Sequence, residues 1–438
     1  MQHRQPGAHA SVAKALLSIA SFVMAISLAE TAFAKDTVLY SFRGAPDGEQ
    51  PWGPLIADRH HNLFGTTNLG GTGSCSNGSG CGTVFELSPQ GNGVWAESVL
   101  YSFQGGNDGQ NPPAALLLDA RGNLYGVTTQ GGTGDCSNMN LVGCGTVFEL
   151  SPRGNAIWTE SVLYSFQGVP GGKGDGDAAE PNSLVFDSSG NLIGFASDGG
   201  SCVAQNVTAE CAGAAFELRE KGGAWREKVL YRADSSTLLS SASLFDAQGN
   251  LYCVAAFGGP ENVGEVFMLS PPSGRGSWTA SAIYAFQNQS DGALPVPGLV
   301  FDAQGNLYGA SSGSDSVPGN VFELTPGGNG TWTESVVFSF EGEGDVYPPQ
   351  GPIMDSQGNL FGTTGIGGPA GEGSVYKASQ NNGAWTERVL HSFAGGGDGS
   401  LPLSGPVIGK GGALYGTTSS GGAGNCSGGC GTVYRVTR

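Results

Sequence analysis

The chain has 438 residues, with 19 Lys and Arg against 37 Asp and Glu, a net charge of −18 at neutral pH. So acidic a chain repels phosphate backbones and anionic lipid, which argues against nucleic acid and membrane surfaces as partners and favours cationic partners or divalent cations. Charged residues make up only 13% of it and its 77 glycines follow no collagen period, so it is neither charge-driven disorder nor a fibre.

Arg4 and Lys14 precede or open an apolar stretch from Ala15 to Ala29, and Ala32-Phe33-Ala34 offers the small residues a signal peptidase reads. The stretch is too short for a spanning helix with its flanks. Residues 1–34 therefore read as a cleaved signal peptide, and residues 35–438 as one exported domain with no membrane insertion.

The first block after the signal is Val38-Leu39-Tyr40-Ser41-Phe42. It returns at Val99, Val162, Val229, Ala282, Val336 and Val389, spaced by 53 to 67 residues. Three other blocks keep step with it. One is a short apolar run ending in Asp, as in Leu116-Leu117-Leu118-Asp119. The next is Gly-Asn-Leu-Tyr-Gly, as in Gly122 to Gly126. The last is Gly-Thr-Val-Phe-Glu-Leu, as in Gly145 to Leu150. Each is rich in Val, Leu, Phe, Tyr and Thr and bounded by turn residues, so each predicts a strand. In this order they are strands A, B and C, and the Val-Leu-Tyr-Ser-Phe block is strand D. The A-to-B link, Asp-x-x-Gly-Asn, places Gly where a tight hairpin needs positive φ. The four strands predict an antiparallel meander.

The chain opens on a D strand with no A, B or C before it and closes on a C strand, Gly431 to Val436, with no D after it. A linear stack would leave two open edges. In a ring, residues 36–42 complete the last sheet. Trp leads six D strands, at 95, 158, 225, 278, 332 and 385, and is missing from the first, as a split repeat requires. The expected fold is an all-β seven-bladed propeller of four-stranded blades, closed by the N-terminal strand.

Eight of nine cysteines form close pairs in B-to-C connections: Cys75 with Cys81, Cys136 with Cys144, Cys202 with Cys211, and Cys426 with Cys430. Export permits disulfides, and no His accompanies any pair, which argues against zinc. Cys253 stands where other repeats place the last Gly of Gly-Asn-Leu-Tyr-Gly and is expected to be a buried, unpaired thiol.

Strand alternation puts the long B-to-C and D-to-A loops on one face and the short A-to-B and C-to-D turns on the other. Function lives more often on long loops. The D-to-A loops carry Asp47, Asp108, Asp175, Asp177, Asp291, Asp345 and Asp398. One reading is turn chemistry, with Asp bonding its own backbone. The other is a set of ligand-binding carboxylates around the channel mouth, able to hold sugar hydroxyls or Ca²⁺. Glu86, Glu149, Glu217 and Glu323 recur in strand C, and Glu97, Glu160, Glu227, Glu334 and Glu387 in strand D. Residues repeated in most blades serve the repeat rather than one active centre, so no catalytic residue, metal ligand or cofactor is assigned.

Gly-Asn-Leu-Tyr-Gly, the Gly-rich loop, Gly-Thr-Val-Phe-Glu-Leu, Trp-Thr-Glu and Val-Leu-Tyr-Ser-Phe together resemble the bacterial choice-of-anchor GloVer tandem repeat, over Val38 to Val436. That resemblance implies an exported, surface-associated protein and carries over no activity and no catalytic residue. Members often end in an anchor segment, whereas this chain stops at Arg438, so release is expected, to the medium, periplasm or cell surface. The A–B pattern, as in Leu299 to Leu307, is also similar to NHL-type propeller repeats. The expected function is a monomeric, non-catalytic binding propeller whose long-loop face takes a glycan or a protein surface. The alternatives are an extracellular carbohydrate-active enzyme or lactonase using loop carboxylates, with or without calcium, and a structural envelope protein.

Overall fold

The structure is a computed structural model that describes residues 37–75, 78–137, 141–154, 156–168, 179–198, 213–233, 238–274, 277–314, 317–340 and 348–438. It contains seven four-stranded antiparallel sheets, each in the order A-B-C-D. Blade 1 consists of Ile56–Ala57, Leu63–Thr67, Thr83–Gly91 and Val94–Ser102. Blade 7 consists of Val407–Ile408, Leu414–Thr418 and Thr432–Val436, and its fourth strand is Thr37–Ser41 from the start of the chain. Thr37 pairs with Arg435 and Ser41 with Thr432. The ring is closed as the sequence predicts, and the protein is a seven-bladed β-propeller.

Strand A forms only two ladder pairs in five blades, fewer than its apolar run suggests. The residues before it run through X-Pro steps, such as Gln50-Pro51 and Leu401-Pro402, which lack a donor and resist sheet pairing. They pack instead against the next blade. A Cβ at Gly53 would lie 2.7 Å from the Ala114 carbonyl oxygen, so only glycine lets those two backbones meet. The residue before each of these prolines takes a left-handed φ: 58° at Gln50, 57° at Asn111, 53° at Leu294 and 55° at Leu401. Its N–H donates to the preceding blade and its carbonyl accepts from its own B–C loop, for example Gln50 N to the Cys430 carbonyl and Asn68 N to the Gln50 carbonyl. Two hydrogen bonds, one across the blade junction and one within the blade, thus hold a backbone conformation that costs about 1–3 kcal/mol.

Aromatic rings bind the blades together. The Phe ending each D strand packs edge-on against an aromatic of the next blade's C strand: Phe42 with Phe85, Phe103 with Phe148, Phe166 with Phe216, Phe286 with Phe322, Phe340 with Tyr376 and Phe393 with Tyr434. The C-strand ring lies over the B-strand glycine of its own blade. A Cβ at Gly65 would meet the Phe85 ring at 2.7 Å, which explains the last Gly of Gly-Asn-Leu-Tyr-Gly. The junction of blades 3 and 4 departs from this pattern. Ala233 replaces the Phe, Cys253 replaces the Gly, and both pack with Phe267 in one core cluster. The thiol fills part of the space left by the missing ring. It is fully buried and in no disulfide, and burial raises its pKa well above the usual value, which disfavours the thiolate and suits a packing role.

Candidate functional site

The long-loop face is braced from within. Cys75–Cys81, Cys136–Cys144 and Cys426–Cys430 are disulfides, as the spacing predicts; the Cys202–Cys211 pair lies outside the described residues. Cys81, Cys144 and Cys430 are fully buried. The sulfur atoms sit directly beneath D–A glycines, where a Cβ at Gly105 would come within 2.6 Å of Cys75 Sγ. The same loops are tied to strand D by hydrogen bonds. Thr72 N donates to Ser102 Oγ at 2.6 Å and Thr133 N to Ser165 Oγ at 2.6 Å. Gln104 and Gln167 donate to the Thr72 and Thr133 hydroxyls. The described parts of the B–C loops of blades 1, 2 and 7 are therefore cross-linked beneath D–A glycines, and those of blades 1 and 2 are also tied to strand D.

Four of the seven candidate aspartates are described, and they share one geometry. Asp47 accepts from the Tyr40 hydroxyl at 2.8 Å, from Arg43 N at 3.0 Å and from Gly48 N at 2.6 Å. Asp108 accepts from Tyr101 and Gln104 N, and Asp291 from Tyr284, Gln287 N and Gln289 N. Asp398 accepts from Ala394 N, and His391 replaces the tyrosine, with Nε2 3.3 Å from Asp398 Oδ2. Each carboxylate thus turns back on the D strand seven residues before it. Asp175, Asp177 and Asp345 lie outside the described residues. Among the described residues no three His, Cys, Asp or Glu side chains are grouped so as to hold a metal ion.

Sequence reasoning missed the partners of these aspartates. The strand-D glutamate of the next blade lies close to the Tyr–Asp pair. Burial, reinforced by the charge of Asp47, pushes the Glu97 carboxyl up to about 7. Burial and Asp108 do the same to Glu160, and burial and Asp291 to Glu334, each pushed up to about 7. One carboxylate oxygen of each is buried without a hydrogen-bond partner. The Tyr-x₆-Asp spacing was visible in the sequence; its meeting with a glutamate from another repeat was not.

Large apolar side chains are also exposed on this face. Trp52 is 40% exposed in the segment leading to strand A of blade 1, and Leu403 is 38% exposed at the corresponding place in blade 7. Ile366, in the B–C loop of blade 6, is 50% exposed. Three neighbouring blades thus present large apolar side chains on the long-loop face.

The fold has distant counterparts among solved structures. A fungal alcohol oxidase of the AA5 family, in complex with copper, is 13% identical with a TM-score of 0.54, covering 92% of this chain and 76% of that one. An ulvan lyase of polysaccharide lyase family 25, bound to -[GlcA(1-4)Rha3S]-, is 11% identical with a TM-score of 0.51, covering 91% and 95%. The extracellular domain assigned to a one-component system of B. thetaiotaomicron is 10% identical with a TM-score of 0.51, covering 92% and 42%. At these identities the likeness is one of fold alone. No curated protein matches the sequence. The profile of the Gloeobacter/Verrucomicrobia repeat matches residues 21–208, 78–316 and 310–438, and the chain belongs to that repeat family.

Proposed function

We propose that this protein is an exported, non-catalytic binding propeller that takes a glycan or a protein surface on its long-loop face. The observation that carries the reading is Trp52, a large exposed aromatic on a loop face cross-linked by three disulfides. Aromatic anchors on a preorganised frame are what binding sites use, because little conformational entropy is lost on contact. The described D–A carboxylates support the same reading. Their oxygens are engaged by Tyr hydroxyls and backbone N–H groups, so in this proposal Asp47, Asp108, Asp291 and Asp398 shape the loops rather than perform acid–base chemistry. Export is supported by the disulfides, and among the described residues no helix is long and apolar enough to cross a membrane.

A glycan array and a cell-surface binding assay with the purified protein test the proposal. Binding is expected to fall at least about tenfold in Trp52→Ala, to survive EDTA, and to involve no bond cleavage. Turnover of a glycan or lactone that is abolished by Asp108→Asn or Asp291→Asn would place the protein among enzymes instead. Calorimetric heat on adding Ca²⁺, lost in the same variants, would restore the metal reading.

A further inference from the structure

The opposite face, built from A–B hairpins and C–D turns, holds a cavity of about 520 Å³ between blades 1 and 2. Asp58, Phe64 and Glu86 of blade 1 and Pro152 and Trp158 of blade 2 line it, with Arg59 and Arg121 from the two hairpins. Its volume lies within the range of small-ligand sites.

Comparison among the blades shows what is special about it. In blades 2, 4 and 5 a B-strand tyrosine reaches its hairpin aspartate: Tyr125 to Asp119, Tyr252 to Asp246 and Tyr308 to Asp302, each at 3.4 Å. Blades 1 and 6 have Phe64 and Phe361 instead, so the Oδ2 atoms of Asp58 and Asp355 lack that hydroxyl. In blade 6 the gap is filled by the chain itself. Arg438 lies over the Phe361 ring, 4.1 Å from its centroid, and its Nη1 is 2.6 Å from Asp355 Oδ2.

Arg438 stands two residues beyond Val436, which pairs with Leu414. The same position in blade 2 is two residues beyond Leu150, which pairs with Leu124, and it is Pro152. Proline brings no cation, and among the described residues Asp58 Oδ2 accepts from Asn62 Nδ2 alone, at 3.0 Å. Opposite Phe64 in the ladder stands Glu86, where blade 6 has Lys377 opposite Phe361. The blade 1/2 crevice therefore has Glu86 and Asp119 beside Asp58, where its counterpart has Lys377 and Gly409 beside Asp355; it has Trp158 where the D strand of blade 7 brings no Trp, and it has no arginine at the position of Arg438.

We infer that this crevice binds the guanidinium of an arginine side chain presented by a partner peptide or protein. Asp58 and Glu86 would accept its N–H groups beside the edge-to-face pair of Phe64 and Trp158, whose ring centroids are 6.4 Å apart. Arg59 and Arg121 form no ion pair among the described residues, and they suit an acidic residue beside that arginine. The chain's net charge of −18 draws such basic partners in. The site is separate from the long-loop face and does not depend on the function proposed for it.

Isothermal titration of the folded protein with acetyl-Gly-Arg-Asp-amide, against the same peptide with Gln for Arg, tests the inference. The arginine peptide is expected to bind at one site and the glutamine peptide at least about tenfold more weakly. Phe64→Tyr returns the hydroxyl that other blades carry. Pro152→Arg supplies the residue that fills the blade 6/7 crevice. Both are expected to keep the thermal midpoint and to weaken the arginine peptide at least about tenfold, while Trp52→Ala leaves it unchanged. Equal binding of the two peptides, no binding of the arginine peptide at millimolar concentration, or undiminished binding by both crevice variants overturns the inference. So does binding of galacturonate that is lost in Arg59→Gln or Arg121→Gln, which would make this an anion site.

Discussion

Replacing Phe42 by Ala probes the closure of the ring at a single side chain. Phe42 is fully buried although it lies just eight residues beyond Ala34, the last residue of the predicted signal, and its ring is 5.0 Å from Phe85 and 5.3 Å from Tyr40. A buried Phe→Ala change costs about 3–5 kcal/mol, of which edge-to-face contacts contribute roughly 0.5–1.5 kcal/mol each. Phe103 makes the same contact with Phe148 in an unbroken part of the chain and serves as the internal control. Guanidinium denaturation should show losses for Phe42→Ala and Phe103→Ala that agree within about 1 kcal/mol. Hydrogen exchange should show a further effect in Phe42→Ala alone: faster exchange at Thr37–Ser41 and at their partners Thr432–Arg435. A loss below about 0.5 kcal/mol for Phe42→Ala beside a full loss for Phe103→Ala would refute the closed ring.

Three further outcomes follow from the same geometry. Glu97, Glu160 and Glu334 have folded-state carboxyls raised from 4.5 to about 7, so between those values the folded chain holds more protons than the unfolded one. Their contribution is fully present below pH 4.5 and is lost as pH rises through 7; the triple Gln variant should flatten this fall in melts recorded across that window. Cys253→Gly should destabilise by about 1–2 kcal/mol by opening a void beside Phe267, and adding Ala233→Phe should recover much of it, a coupling that a double-mutant cycle measures. Reduction of the disulfides should lower stability by about 2–3 kcal/mol per bond for loops this short, with new proteolytic cuts confined to the B–C loops of the stapled blades.

The architecture was legible because every blade repeats the same local instructions. Strands alternate with glycine turns, and the unmatched D and C strands at the two ends can pair only with each other. The roles of single residues were less legible because they depend on registers between repeats. The spacing of Tyr40 and Asp47 can be read along the chain, but the nearness of Glu97 arises across a blade junction. The blade 1/2 cavity is written as one missing oxygen, Phe64 where Tyr125 and Tyr308 stand elsewhere, and its meaning emerges only beside Arg438. Cys253 could be placed as an exception but not explained until Ala233 was found opposite it.

The seam in blade 7 also governs how the molecule bears load. Thr37 and Arg435 are partners at the same end of an antiparallel ladder, so the start of the first strand and the end of the last lie side by side. Tension across them opens that ladder like a zipper, one rung after another, instead of shearing all its hydrogen bonds at once. Pulling on Thr37 and Val436 is therefore expected to part the rim of blade 7 first.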